Sequence, residues 1–159
     1  MKRRKIVQEV TFAGLIAALY YVITIMSAPL SFGQVQCRLS EVLLFLCLRN
    51  RFAVWGYTVG CMLTNLTSPL GIIDVVVGGG YNFVCAMVAY KTGRKVPAIL
   101  SATVGSGLVV GAEMRICYGL PMMESAVFVA IGQTLALMIG LAMYKAIGDR
   151  LQRVINRYV

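Results

Sequence analysis

Gln34-Val-Gln-Cys-Arg-Leu-Ser-Glu41 and Asn65-Leu-Thr-Ser-Pro-Leu-Gly-Ile-Ile-Asp74 stand in a chain otherwise written in long apolar runs. Arg38, Glu41, Asn65 and Asp74 are strongly polar, and the segments around them are too apolar for water. An ionisable side chain at membrane depth is costly and marks a functional site by default. The fold therefore turns on whether the surrounding runs are membrane spans.

Composition says that they are. The 159 residues are 59% hydrophobic and only 13% charged, with a mean hydropathy of +0.80. Such a chain is neither disordered nor an ordinary soluble domain, and it reads as a polytopic, all-α membrane protein. The net charge of +9 does not point to nucleic acid. The basic residues fall in short clusters between apolar runs, as loop charges do in membrane proteins.

Histidine is absent, which removes the commonest metal ligand and general base. Cys37, Cys47, Cys61, Cys85 and Cys117 are scattered, without a C-x-x-C pair, and read as small apolar fillers. No metal site and no cofactor are expected in this chain. Thr103-Val-Gly-Ser-Gly107 echoes a channel filter but lacks the pore-helix context. Gly105, Gly107 and Gly111 do not form a dinucleotide fingerprint, and there is no Walker A sequence. Nothing here reads as an enzyme.

A single transmembrane domain over residues 1–159 is expected, with six helices at about 10–26, 35–48, 52–66, 72–90, 98–118 and 124–144. A span needs roughly 20 residues, so the second and third are marginal. The basic opening and the apolar run after it read as a retained first span, not a cleaved signal. With the N-terminus in the cytoplasm and the loops alternating, the inner side holds Lys2, Arg3, Arg4, Lys5, Arg49, Arg51, Lys91, Arg94, Lys95, Lys145, Arg150, Arg153 and Arg157. Only Arg38 and Arg115 remain outside. The positive-inside rule then puts both termini in the cytoplasm.

The same alternation gathers Glu41, Asp74, Glu113 and Glu124 in the outer half with Arg38 and Arg115. Read as an α-helix, the second span puts Gln34, Arg38 and Glu41 on one face at i, i+4 and i+7, with Gln36 nearby. An Arg38–Glu41 pair that merely neutralises itself is the plainer alternative. Asp74 opens the fourth helix and shares a face with Gly78, Asn82 and Cys85, although capping would also explain it. Arg115 is close enough to the interface to snorkel outward. Gln133 lies half a turn from Glu124 and is taken as the pocket-facing residue of that helix. Ala13-x-x-x-Ala17, with Gly14 and Ala18, makes a small-residue face that another helix can approach closely.

These features resemble the substrate-binding S-component of an energy-coupling factor transporter. More narrowly, Val35-Gln-Cys-Arg-Leu-Ser-Glu41, Asn65 to Asp74 and Gly111-Ala-Glu113 look like the queuosine-precursor transporter family. That family's sixth helix often carries an acid after its glycine, where this chain has Gln133 after Gly132. The resemblance implies a six-helix bundle in a bacterial cell membrane that binds a 7-deazaguanine such as preQ0, preQ1 or queuine from outside. It implies partners too: a transmembrane coupling protein, met by Ala13 and Ala17, and two cytoplasmic ATPases. Arg38, Glu41, Asn65, Asp74, Asn82, Glu113, Gln133 and Gln36 are the expected substrate-binding set. One of Glu41, Glu113 or Asp74 would read the donor edge of the base, because a carboxylate accepts two N–H donors side by side. The rival readings are an S-component for another vitamin, and a proton- or cation-coupled carrier relaying through Glu113 or Asp74.

Overall fold

The computed structural model describes residues 2–31 and 37–158, and every regular element in them is helical. In chain order these are α1 (Lys2–Met26), a single turn α2 (Ala28–Ser31), a 3₁₀ helix (Leu39–Leu48), α3 (Arg51–Asn65), α4 (Ile72–Thr92), α5 (Lys95–Leu100), a π turn (Ser101–Gly105), α6 (Ser106–Tyr118) and α7 (Met122–Tyr158). With α5, the π turn and α6 forming one column, the described residues make six columns.

Four columns are long and apolar enough to cross a membrane: Arg3–Met26, Ile72–Thr92, Lys95–Tyr118 and Met122–Gly148. The other two are shorter than that: α3 has the length expected of 52–66, whereas the second, expected at 35–48, is cut short. The second is no α-helix; it begins at Leu39 after an extended Arg38 and has 3₁₀ geometry throughout. Arg38 and Glu41 therefore do not share an α-helical face. Gln34 and Gln36 lie outside the described residues. At about 2 Å of rise per residue this element reaches roughly 20 Å, some 5 Å further than the same ten residues as an α-helix. The sixth column overruns its expected end at Tyr144 and stays helical to Tyr158.

Local chemistry accounts for the breaks. Asn50 caps α3, its side-chain oxygen accepting from the Phe52 and Ala53 amides at 2.8 and 3.2 Å. Gly93 and Gly119 end α4 and α6 at φ +59° and +68°, a left-handed conformation that side chains resist. The π turn has a specific use. Tyr81 reaches across from α4 and donates to the Ser101 carbonyl at 3.1 Å, in space that a side chain at Gly105 would fill.

Close backbone approach sets the packing. A Cβ on Gly56 or Gly60 of α3 would meet the Ala13 or Ala17 carbonyl of α1 at 2.4 and 2.9 Å. Matching Gly56 to Ala13 and Gly60 to Ala17 also makes α1 and α3 run parallel. Gly107 and Gly111 of α6 lie equally close to the Ala126 and Met122 carbonyls of α7, and Gly140 of α7 to the Cα of Val42. Small residues at such crossings allow helices to pack where lipid removes the usual hydrophobic drive. The small face of α1 is thus turned inward: Ala17 is buried and Ala13 half-buried against α3, while Gly14 and Ala18 are exposed. Outer faces carry exposed Leu15, Leu19, Val76, Phe128, Ile131 and Leu135, a surface suited to lipid.

Candidate polar site inside the bundle

Glu41 is 1% exposed and lies where four columns meet. The Tyr20 hydroxyl of α1 donates to its Oε1 at 2.9 Å, the Asn82 amide of α4 donates to the same oxygen at 3.2 Å, and the Tyr57 hydroxyl of α3 donates to Oε2. Asn82 also reaches the Tyr20 hydroxyl at 3.2 Å, and the two tyrosine rings meet edge to face with centroids 5.2 Å apart. Beside this knot Thr24 donates to Ser40 Oγ at 2.7 Å, fastening α1 to the 3₁₀ helix again. Each oxygen of the carboxylate is satisfied, as burial requires.

A second layer lies along α3 and α4. The turn 66–71 folds the chain back so that Asn65 Nδ2 donates to the Asp74 carbonyl at 2.7 Å. Asp74 is in the first turn of α4, but its side chain does not cap that helix; it pairs with Arg38, Nη2 to Oδ2 at 3.5 Å. Arg38 also points Nη1 at Cys61 Sγ, 3.7 Å away. The sequence-local Arg38–Glu41 pair is thereby replaced by a pair across 36 residues. Gly78 leaves the room this needs, since a Cβ there would meet Asp74 Oδ1 at 2.6 Å and Asn65 Nδ2 at 3.0 Å.

The third layer belongs to α6 and α7. Glu113 is 4% exposed and Gln133 is 5% exposed. Among the described residues, neither Glu113 oxygen has a hydrogen-bond partner, and neither does Gln133 Oε1. Glu113 is close enough to Asp74 and Arg38 to feel both charges. Cys37, beside Arg38, lies against the backbone of Ala136, one turn along α7 from Gln133. Glu124, by contrast, faces outward, as does Arg115.

Of the expected site residues, Arg38, Glu41, Asn65, Asp74, Asn82, Glu113 and Gln133 are all buried. Glu41 and Asn82 share one knot. Arg38, Asn65 and Asp74 share the next, with Glu113 near them. Sequence reasoning missed Tyr20, Tyr57 and Cys61. The signal for the tyrosines was their depth: a phenol in the middle of a span needs a polar partner. Among the described residues no three of His, Cys, Asp and Glu converge as metal ligands would. Chemically, the set offers unpaired acceptor oxygens beside a paired carboxylate and guanidinium.

The sequence model of the family described as QueT transporter matches residues 10–149. The queuosine precursor transporter QueT of Lactococcus lactis subsp. cremoris (strain MG1363) is 38% identical over 81 residues, which cover 50% of this chain and 47% of that protein. The chain thus matches about half the length of this curated relative. No solved structure matches it.

Proposed function

The chain belongs to the QueT transporter family, and from that premise we propose that it is the substrate-binding S-component of an energy-coupling factor importer for a queuosine precursor. The family match over residues 10–149 carries this reading. The ligand is a 7-deazaguanine (preQ1, preQ0 or queuine), taken up from outside at the polar layers between Arg38, Asn65, Asp74, Glu113 and Gln133. The Glu41–Asn82 knot stands behind them. Gln36 stands two residues before Arg38 in sequence and is kept as a contact.

All six columns cross the cytoplasmic membrane in this reading, with both termini inside. Two contacts support the common level of the basic clusters. Lys95 Nζ sits over the Tyr144 ring at 4.9 Å, and Gly93 lies against the Leu48 carbonyl. Residues 48–51, 93–95 and 144–145 therefore share one end of the bundle, away from Asn65 and Asp74. A transmembrane coupling protein and two ATPases supply the energy; this chain catalyses nothing. Because Ala13 and Ala17 already pack on α3, the coupling protein meets α1 through its open side, at Gly14 and Ala18.

The test is binding by the purified, detergent-solubilised chain, followed by uptake in cells that carry the ATPase module. A 7-deazaguanine should bind, and riboflavin and thiamine should not. A vitamin binding in its place would keep the importer class and discard the substrate. Gly14→Leu and Ala18→Leu should abolish uptake with binding intact; uptake that survives both would remove α1 from the coupling face.

A further inference from the structure

The buried carboxylates differ in what they lack. Glu41 has three donors on its two oxygens. Glu113, also buried, has none among the described residues. Among the described residues, the other buried side-chain oxygens without a partner are Asn65 Oδ1, Gln133 Oε1 and the Thr103 hydroxyl. The Asn65 and Gln133 amide oxygens can only accept, and an ionised Glu113 adds two more acceptors. An unpaired buried acceptor costs a substantial part of a hydrogen bond, and a carboxylate costs more, so four in one region are expensive unless something supplies donors.

Each is tied to the surroundings of the Arg38–Asp74 pair. Asn65 bonds the Asp74 carbonyl, Asp74 pairs with Arg38, Glu113 feels both of those charges, and the Cys37–Arg38 segment lies one turn from Gln133 on α7. We propose that Glu113, Gln133 and Asn65 are the residues that read the ligand, that they read hydrogen-bond donors, and that Glu41 touches no ligand but ties the wall behind them. This rests on the importer reading above. The chemistry follows from the atoms. A guanine-like edge presents a ring N–H and an exocyclic amine side by side, a spacing that fits the two free oxygens of Glu113. Gln133 and Asn65 then accept from the far side. A substituent ending in an amine supplies those donors, whereas a nitrile can only accept and leaves both oxygens unpaired.

Two ligands and three variants test this. The purified chain is titrated with 7-aminomethyl-7-deazaguanine and 7-cyano-7-deazaguanine, and the thermal midpoint of each ligand-free variant is measured alongside. The wild type should prefer the aminomethyl compound by about tenfold or more, the size of one charge-assisted bond. Glu113→Gln should lose at least about tenfold in affinity while its ligand-free midpoint holds or rises, because it removes an acid that had no partner. Gln133→Leu should narrow the preference between the two ligands. Glu41→Gln should do the reverse of Glu113→Gln, lowering the midpoint and keeping affinity within about threefold.

Undiminished binding by Glu113→Gln overturns the proposal, as does a wild type that favours the nitrile. So does a Glu41→Gln protein that loses affinity at an unchanged midpoint. A wild type that binds neither compound refutes the substrate reading instead. The midpoints then still decide the division of labour: a fall in Glu113→Gln as large as that in Glu41→Gln overturns it.

Discussion

The first four columns and the last two are joined by different means. Between α1, the 3₁₀ helix, α3 and α4 the connections are polar: Tyr20, Tyr57 and Asn82 on Glu41, Thr24 on Ser40, Arg38 on Asp74. Between α6 and α7 the connection is shape, with Gly107 and Gly111 against the backbone of α7, and the side-chain oxygens of Glu113 and Gln133 are left without donors among the described residues. A lipid-embedded bundle has little hydrophobic drive between helices and relies on packing and hydrogen bonds. Small residues also set the α1–α3 crossing, so what separates the two halves is the polar ties. One half is a stitched frame, and the other keeps its polar groups uncommitted.

The sharpest way to break this contrast is Glu41→Ala. It strands two phenols and an amide in the interior, and at about 1–3 kcal/mol for each stranded donor the ligand-free protein should lose several kcal/mol. Thermal unfolding in detergent reads it directly, and a midpoint near that of the wild type would mean that the frame is not held by this carboxylate. Next is Gly56→Leu, which drives a side chain into the Ala13 carbonyl. Overpacking of that kind costs about 1–3 kcal/mol, so the midpoint should fall without any polar group being lost.

Gly111→Ala probes the other half, because its new methyl would press on the Met122 carbonyl and Ala126. The cost should be about 1 kcal/mol in stability. Ligand affinity should fall as α6 carries Glu113 away from α7, and a variant with normal affinity would show that the pocket does not depend on that crossing. Tyr57→Phe removes one donor of three from Glu41 and should cost about 1 kcal/mol. The smallest effect belongs to the exposed Glu124. Glu124→Gln should stay within about 0.5 kcal/mol of wild type and bind normally, and any larger change would move that acid into the site.

Much of the frame could be read from sequence because it follows from local pattern. The fourth span, expected at 72–90, is observed at Ile72–Thr92, and the fifth, expected at 98–118, belongs to the column Lys95–Tyr118. The Asp74–Asn82–Cys85 face is likewise buried as a helical period requires. What sequence could not give is non-local. Arg38 finds Asp74 rather than Glu41 only because α4 returns beside the 3₁₀ helix. That 3₁₀ helix was itself invisible, since an apolar run of ten residues looks the same in either helical form. The small face of α1 was legible as a contact surface, but its partner was not: Gly56 and Gly60 are the glycines that receive Ala13 and Ala17.

The unequal lengths of the columns have a mechanical meaning for the bilayer. The 3₁₀ helix and the 15-residue α3 each reach only about 20 Å, against about 37 Å for α1 and a hydrocarbon layer near 30 Å. Lipid cannot follow both contours at its resting thickness. Over the short sector it has to thin, or yield to headgroups and water, at a cost of fractions of a kcal/mol for each ångström. In the importer reading, the bilayer is therefore thinnest over the sector that carries Arg38 and Asp74.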